Sequence, residues 1–208
     1  MTISNWEEKA TEEILTIIKR ELKDFGMKYD RFFSETTLYE KGIVAEVEEL
    51  LKEKKLVYEK EGALWFKAKE FSDNKDRVIR KKDGTPTYFL SDIAYHYYKV
   101  KRGFDFLINI WGADHHGYVK RLKGAIKAVT NKEDVLKVIL YQLVRLKRQG
   151  EYISMSTREG EFVGLKEVID EVGKDVSRIY LLLKRFSTHL DFDLEKAKEQ
   201  SMDNPVYY

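Results

Sequence analysis

The chain has 208 residues, 43% of them hydrophobic and 36% charged, which is enough apolar material for a packed core and excludes a disordered chain. Lysine and arginine total 38 against 36 acidic residues, a net charge of +2, so any nucleic-acid contact must come from local patches such as Lys120, Arg121, Lys123 and Lys127 or Arg145, Lys147 and Arg148. Cysteine is absent, which excludes disulfides and thiolate metal sites, and no apolar run approaches the roughly 20 residues needed to cross a bilayer; a cytoplasmic protein with no membrane partner is expected.

From Trp6 to about Phe25, Ile14, Leu15, Ile17, Ile18 and Leu22 recur at spacings near three and four, which predicts an amphipathic helix that Gly26 ends. Glu35 to Tyr39 reads as extended or looped, and Ile43, Val44, Val47, Leu50 and Leu51 form a second helical stripe. Leu56-Val57-Tyr58, Ala63 to Phe66 and Arg77 to Arg80 are short β-prone runs broken by Glu61-Gly62 and Lys82-Asp83-Gly84, so antiparallel hairpins are expected from about Leu56 to Arg80.

After Pro86 the pattern changes. Thr87 to Leu90 gives a strand signal, Ser91-Asp92 a helix start, and Gly103 the end of that helix. Phe104 to Trp111 reads as a strand buried on both faces. A helix then carries Val119, Leu122, Ile126 and Val129 on its buried side, and Val135 to Leu146 is another β-rich run. A polar loop, Gln149 to Gly164, precedes helices at about Leu165–Val172, Asp175–Phe186 and Leu194–Ser201. Strands alternating with helices imply an α/β fold with a parallel sheet. A soft boundary near Gly84 separates a helix-and-hairpin appendage, residues 1–84, from an α/β core, residues 85–186, followed by a helical connection, residues 187–208.

Three constellations carry chemistry. Gly112-Ala113-Asp114-His115-His116 turns a strand into a helix whose free N–H groups face the ligand-binding end of a parallel sheet. Asp114, His115 and His116 are open to three readings: metal ligands, a polar clamp, or a capping aspartate beside two incidental histidines. Tyr88 and Asp92 suit a cationic ligand, because a carboxylate takes a guanidinium in a two-pronged hydrogen bond while a tyrosine lies alongside; equally, Ser91 or Asp92 caps a helix. The loop Ser154-Met155-Ser156-Thr157-Arg158 has the hydroxyls and the charge to meet phosphates, or is an ordinary surface loop.

Taken together, Asp83-Gly84-Thr85-Pro86-Thr87-Tyr88-Phe89, Asp92 to His96, Trp111 to Val119, Asp191 to Leu194 and Asp203-Asn204-Pro205-Val206-Tyr207-Tyr208 resemble, in order, bacterial-type arginyl-tRNA synthetase. The resemblance implies a partial Rossmann-type parallel sheet, the second half of a class I synthetase catalytic domain, with a small antiparallel β appendage and C-terminal helices. It implies ATP-dependent activation of arginine and its attachment to tRNA(Arg), with ATP and its Mg2+ as substrate and no tightly bound cofactor. By the resemblance, Tyr88, Asp92 and His115 bind arginine, and Gly112, Ala113, Asp114, His115 and His116 lie against ATP. Ser154, Met155, Ser156, Thr157 and Arg158 stand in the place of the catalytic class I KMSKS loop, with Ser154 and Thr157 where that motif has lysines.

The His-x-Gly-His motif of class I enzymes does not occur, since the four histidines stand at 96, 115, 116 and 189. A segment of a longer enzyme, without its first ATP signature and anticodon-binding helices, and inactive by itself in forming arginyl-adenylate, is therefore the expectation. Two other readings remain open: a non-catalytic RNA-binding or interaction module derived from a synthetase, and an Asp-His-His metal phosphoesterase, which needs further aspartates at other strand ends.

Overall fold

The computed structural model describes residues 3–153 and 163–207. Helix α1 (Ile3–Asp24) opens the chain, followed by α2 (Thr36–Glu40) and α3 (Ile43–Glu53). Strands β1 (Val57–Lys60), β2 (Ala63–Phe66) and β3 (Arg77–Arg80) precede α4 (Tyr88–Lys101), β4 (Leu107–Gly112) and α5 (His116–Thr130). Then come β5 (Leu136–Tyr141), β6 (Val144–Arg148), β7 (Glu151–Tyr152), α6 (Leu165–Val172), α7 (Lys174–Leu182), β8 (Leu190–Asp193) and α8 (Leu194–Lys198).

Two compact units are formed: Phe32–Tyr141, and Met1–Arg31 with Gln142–Tyr208. In the first, β1, β2 and β3 make an antiparallel sheet in that order, as the broken β-prone runs imply. The β1–β2 turn consists of Glu61 at φ 54° and Gly62 at φ 76°, the two left-handed residues that a tight two-residue hairpin requires. Strands β4 and β5 pair in parallel from Leu107↔Leu136 to Gly112↔Tyr141, with α5 as the crossover. The core joins α3, α4 and α5 through Val47, Leu51, Leu90, Ile93, Leu122 and Ile126, all sealed from solvent. Helix α5 approaches the turn after β2 so closely that a Cβ on Gly124 would strike the Phe71 carbonyl.

In the second unit β6 lies between β7, antiparallel, and β8, parallel. Leu146, Phe192, Leu194, Val168, Val172 and Tyr180 form its core. Helix α1 ends where expected: Gly26 stands at φ 81°, and Met27 N–H reaches back to the Leu22 carbonyl at 2.8 Å, closing a left-handed C-terminal turn.

Five local expectations need correction. Thr87 to Leu90 is not a strand: α4 begins at Tyr88, because Phe89, Leu90, Ile93 and Ala94 repeat at helical spacing and bury one stripe. Glu35 to Tyr39 is not extended but mostly the short helix α2. Strand β4 is not buried on both faces: Leu107 and Asn109 point into the core while Ile108 and Ile110 are 62% and 69% exposed. The run Val135 to Leu146 is two strands in different sheets, broken at Gln142 and Leu143. Finally, Leu190 to Asp193 is a strand, its burial alternating with period two.

Candidate functional site

Strand β3 and the start of α4 are joined through Thr87, whose N–H bonds the Ile79 carbonyl at 2.8 Å and whose hydroxyl donates to the Val78 carbonyl at 3.0 Å. Because that hydroxyl faces β3, it does not cap α4. Ser91 and Asp92 sit inside the helix rather than at its end, so neither caps it, and the capping alternative for Asp92 falls. Asp114 likewise makes no side-chain cap on α5. Its carboxylate folds back over Gly112, where a Cβ would press on Asp114 Oδ1 and turn that exposed side chain aside.

Asp92 is half-buried, and its Oδ2 accepts a 2.6 Å hydrogen bond from the Tyr118 hydroxyl on α5. Burial raises its carboxyl above the usual range; the Tyr118 hydroxyl pulls the other way, and the nearby charge of Glu35 adds to the rise. Burial also raises the Tyr118 phenol, with the Asp92 charge beside it next in weight. Among the described residues Asp92 makes no ion pair. It is a carboxylate held in a partly dry position, with the Lys99 charge near it but not paired to it.

Two cavities open on Asp92. One, about 460 Å3, is lined by Arg77, Val78, Thr87, Tyr88, Phe89, Asp92, His115, Tyr118 and Arg121. The structure thus brings Tyr88, Asp92 and His115 around one pocket, from the start of α4 and the turn after β4. Tyr88 is 85% exposed, so its ring is free to lie along a ligand. The other cavity, about 220 Å3, is lined by Phe33, Glu35, Leu38, Ser91, Asp92 and Tyr95. Here Phe33 stacks on Tyr95 at 4.6 Å, and Tyr39 and Ser91 share a 2.6 Å hydroxyl bond. Two carboxylates and aromatic faces around one small cavity suit a cation.

Arginines frame the larger pocket without entering its chemistry. Arg77 donates to Asp73 at 2.7 Å and 2.8 Å, and Arg121 to the same carboxylate at 3.1 Å while lying over the Tyr118 ring at 5.1 Å. The Arg77 guanidinium, with Arg121 beyond it, holds the Asp73 carboxyl down at about 2.

Gly112, Ala113, Asp114 and His116 form the turn into α5 but do not line the pocket around Asp92. Asp114 lies 3.5 Å from His115 Nε2. Among the described residues no three His, Cys, Asp or Glu side chains are grouped to hold a metal ion. The run Ser154-Met155-Ser156-Thr157-Arg158 falls outside the described residues. Sequence reasoning missed Glu35 and Tyr118. Tyr118 stood in a quoted motif without a role, and Glu35 stood in a stretch misread as extended; an acid two residues after the Phe32-Phe33 pair was the available signal.

The model of the family described as tRNA synthetases class I (R), catalytic domain, matches residues 4–188. The chain is 55% identical over 191 residues to an arginine–tRNA ligase from Aquifex aeolicus, covering 92% of this chain and 33% of that protein. A second arginine–tRNA ligase, from Citrifermentans bemidjiense, is 53% identical over 195 residues, covering 94% and 35%. The chain thus spans about a third of the length of the curated relatives it matches. Among solved structures, an arginyl-tRNA synthetase from Campylobacter jejuni superposes with a TM-score of 0.89 at 40% identity over 97% of this chain and 44% of that one. The Thermus thermophilus enzyme shares the fold, with a TM-score of 0.74 at 16% identity over 97% of this chain and 44% of that one. With an α/β architecture, parallel β4–β5 pairing and a family match over residues 4–188, this chain belongs to the class I (R) tRNA synthetase catalytic-domain family.

Proposed function

We propose that the protein serves the ATP-dependent activation of arginine and its attachment to tRNA(Arg). The observation that carries this reading is the Asp92 carboxylate, half-buried, bonded by one neutral hydroxyl, facing the same small cavity as Glu35, and in no ion pair among the described residues. A cationic ligand brings the direct ion pair such a group lacks. A guanidinium, planar and always charged, offers two parallel donors to one carboxylate, whereas an ammonium is a point charge that meets fewer acceptors in fixed directions. In this reading Asp92 and Tyr88 hold the guanidinium, Glu35 adds negative charge from the neighbouring cavity, and His115 holds the other end of the amino acid.

The turn Gly112 to His116 then lies against the adenosine, at the N-terminal end of α5. Ser154 to Arg158 takes the phosphates, with Arg158 as the formal positive charge, and Mg2+ arrives with the ATP as part of the substrate. A carboxylate oxygen of arginine attacks the α-phosphorus, the bond to the β-phosphate oxygen breaks, and pyrophosphate leaves. A ribose hydroxyl of the tRNA then attacks the acyl carbon, gives up its proton, and AMP departs. The named residues make none of these bonds; they hold the reactants in line, where orientation and preplaced charge supply the acceleration.

Calorimetric titration of this chain with arginine, lysine and citrulline tests the reading. Arginine is expected to bind at least tenfold more tightly than citrulline, its neutral isostere, and Asp92→Asn to remove that preference. Equal binding of arginine and citrulline, or an unaltered preference in Asp92→Asn, overturns it.

A further inference from the structure

Asp92 is tied to the rest of the unit from behind by a polar relay that the arginine-binding reading does not use. His96, one turn further along α4, is buried, and its Nδ1 lies 2.7 Å from the Asp92 backbone carbonyl. A carbonyl only accepts, so Nδ1 carries the proton. Nε2 lies 2.7 Å from Asn109 Nδ2 on β4, and in a neutral imidazole that nitrogen accepts, so the Asn109 amide donates. The opposite end of the same amide then faces a donor: Lys99 Nζ lies 3.5 Å from Asn109 Oδ1. Every role is fixed by its neighbour, which leaves one tautomer and one amide orientation.

We propose that His96 and Asn109 are positioning residues that set the register of α4 against β4, and with it the length of cationic amino acid the site accepts. The proposal rests on the reading of Asp92 as the guanidinium acceptor. Asp92 and Tyr88 ride on α4, whereas His115 rides on the turn that ends β4, six residues beyond Asn109 and three beyond Gly112. Apolar packing between a helix and a strand is non-directional and resists small sliding weakly. The 2.7 Å hydrogen bond between His96 Nε2 and Asn109 resists it strongly, because its geometry decays within fractions of an ångström, while the bond from His96 Nδ1 to the Asp92 carbonyl, within α4, holds the ring in place for it. An apolar pair would fill the same seam without desolvating an imidazole and an amide, so the polar relay contributes register rather than burial. Burial keeps the His96 ring neutral, pulling its pKa down to about 4, which preserves the acceptor that Asn109 needs.

The test replaces the relay by packing, in the double variant His96→Leu/Asn109→Leu, and titrates arginine, homoarginine (one methylene longer) and 2-amino-4-guanidinobutyrate (one shorter). The preference for arginine over both homologues is expected to fall about tenfold or more, since a displacement near 1 Å in a positioned site costs up to about a hundredfold, while the melting temperature stays within a few degrees. An unchanged preference in the double variant, with Asp92→Asn still removing arginine binding, overturns the positioning role alone; unaffected binding in Asp92→Asn overturns the reading beneath it. Long-range nitrogen–proton NMR on the parent chain needs no variant to fold: His96 is expected as the neutral Nδ1–H tautomer, and an Nε2–H tautomer or an imidazolium at pH 7 overturns the relay.

Discussion

The Tyr118 hydroxyl on α5 spans 2.6 Å to Asp92 Oδ2 on α4, so the acceptor at the centre of the candidate site is aimed by a neutral donor from a second helix. A neutral donor orients the carboxylate without cancelling its charge, which an arginine or lysine in the same place would do.

Tyr118→Phe removes that donor and leaves the ring. The Asp92 carboxyl, already raised by burial, then loses the largest of the interactions that oppose the rise. Only the ionised form attracts a cation, so arginine affinity in the variant is expected to fall between pH 7.5 and pH 5 more steeply than in the parent. The fold is expected to lose about 1 kcal/mol, the usual net worth of one such bond. Calorimetry at the two pH values and a urea melt check both parts.

Asp73 serves two guanidiniums at once, Arg77 and Arg121, and its carboxyl is held at about 2. A depressed carboxylate stabilises the fold above its unfolded pKa of about 4 and loses that contribution as pH falls through the folded value. Stability is therefore expected to drop between about pH 4 and pH 2. Asp73→Ala abolishes this segment of the profile and costs roughly 3–5 kcal/mol, as two partly covered guanidiniums lose their counter-charge. Denaturant midpoints across that pH range report it.

For His96 the sign is opposite to that of a paired histidine. Its folded pKa of about 4 lies below the unfolded value of about 6.5. The unfolded chain therefore binds the proton more readily, and stability is lost as pH falls from about 6.5 to about 4. The groups that face the ring are Asp92 and Lys99 from α4 and Asn109 from β4; Lys99, itself pulled down to about 8 by burial, adds a repelling charge and keeps it through this window. His96→Gln is expected to flatten the melting-temperature profile between pH 6.5 and pH 4, and a profile as steep as the parent's contradicts the assignment.

Neighbouring positions on β4 are expected to respond very differently to truncation. Leu107→Ala opens a cavity in the core and costs roughly 2–5 kcal/mol. Ile108→Ala and Ile110→Ala, on the exposed face, are expected to stay within about 0.5–1 kcal/mol of the parent. Equal losses at all three positions in urea unfolding contradict the one-sided burial.

This alternation also shows where sequence reading stops. Ile108 and Ile110 are as apolar as Leu107, so composition cannot tell a strand covered on two faces from one covered on a single face; only the neighbours decide. Elements with local causes were legible: the end of α1 at Gly26, the hairpin turn at Glu61-Gly62, and the α5 stripe of Leu122, Ile126 and Val129. Tyr88-Phe89-Leu90 was misread because aromatic residues favour strands locally, whereas burial of Phe89, Leu90, Ile93 and Ala94 along one helical face overrides that preference. For the site, Tyr88, Asp92 and His115 were visible as motif residues. Glu35 and the His96–Asn109 relay were not, since each gains its meaning from a partner 13 or more residues away.

Strand β4 has β5 on one side and, among the described residues, no strand on the other. In a parallel ladder alternate amides turn to opposite sides. Leu107 N–H bonds the Val135 carbonyl at 2.7 Å, so by alternation the amides of Asn109 and Trp111 also face β5, while those of Ile108 and Ile110 face the open edge. In deuterated water one six-residue strand therefore carries two exchange rates, slow and fast in turn. Slowing of the fast set is a direct, residue-resolved signal that another segment has docked along that edge.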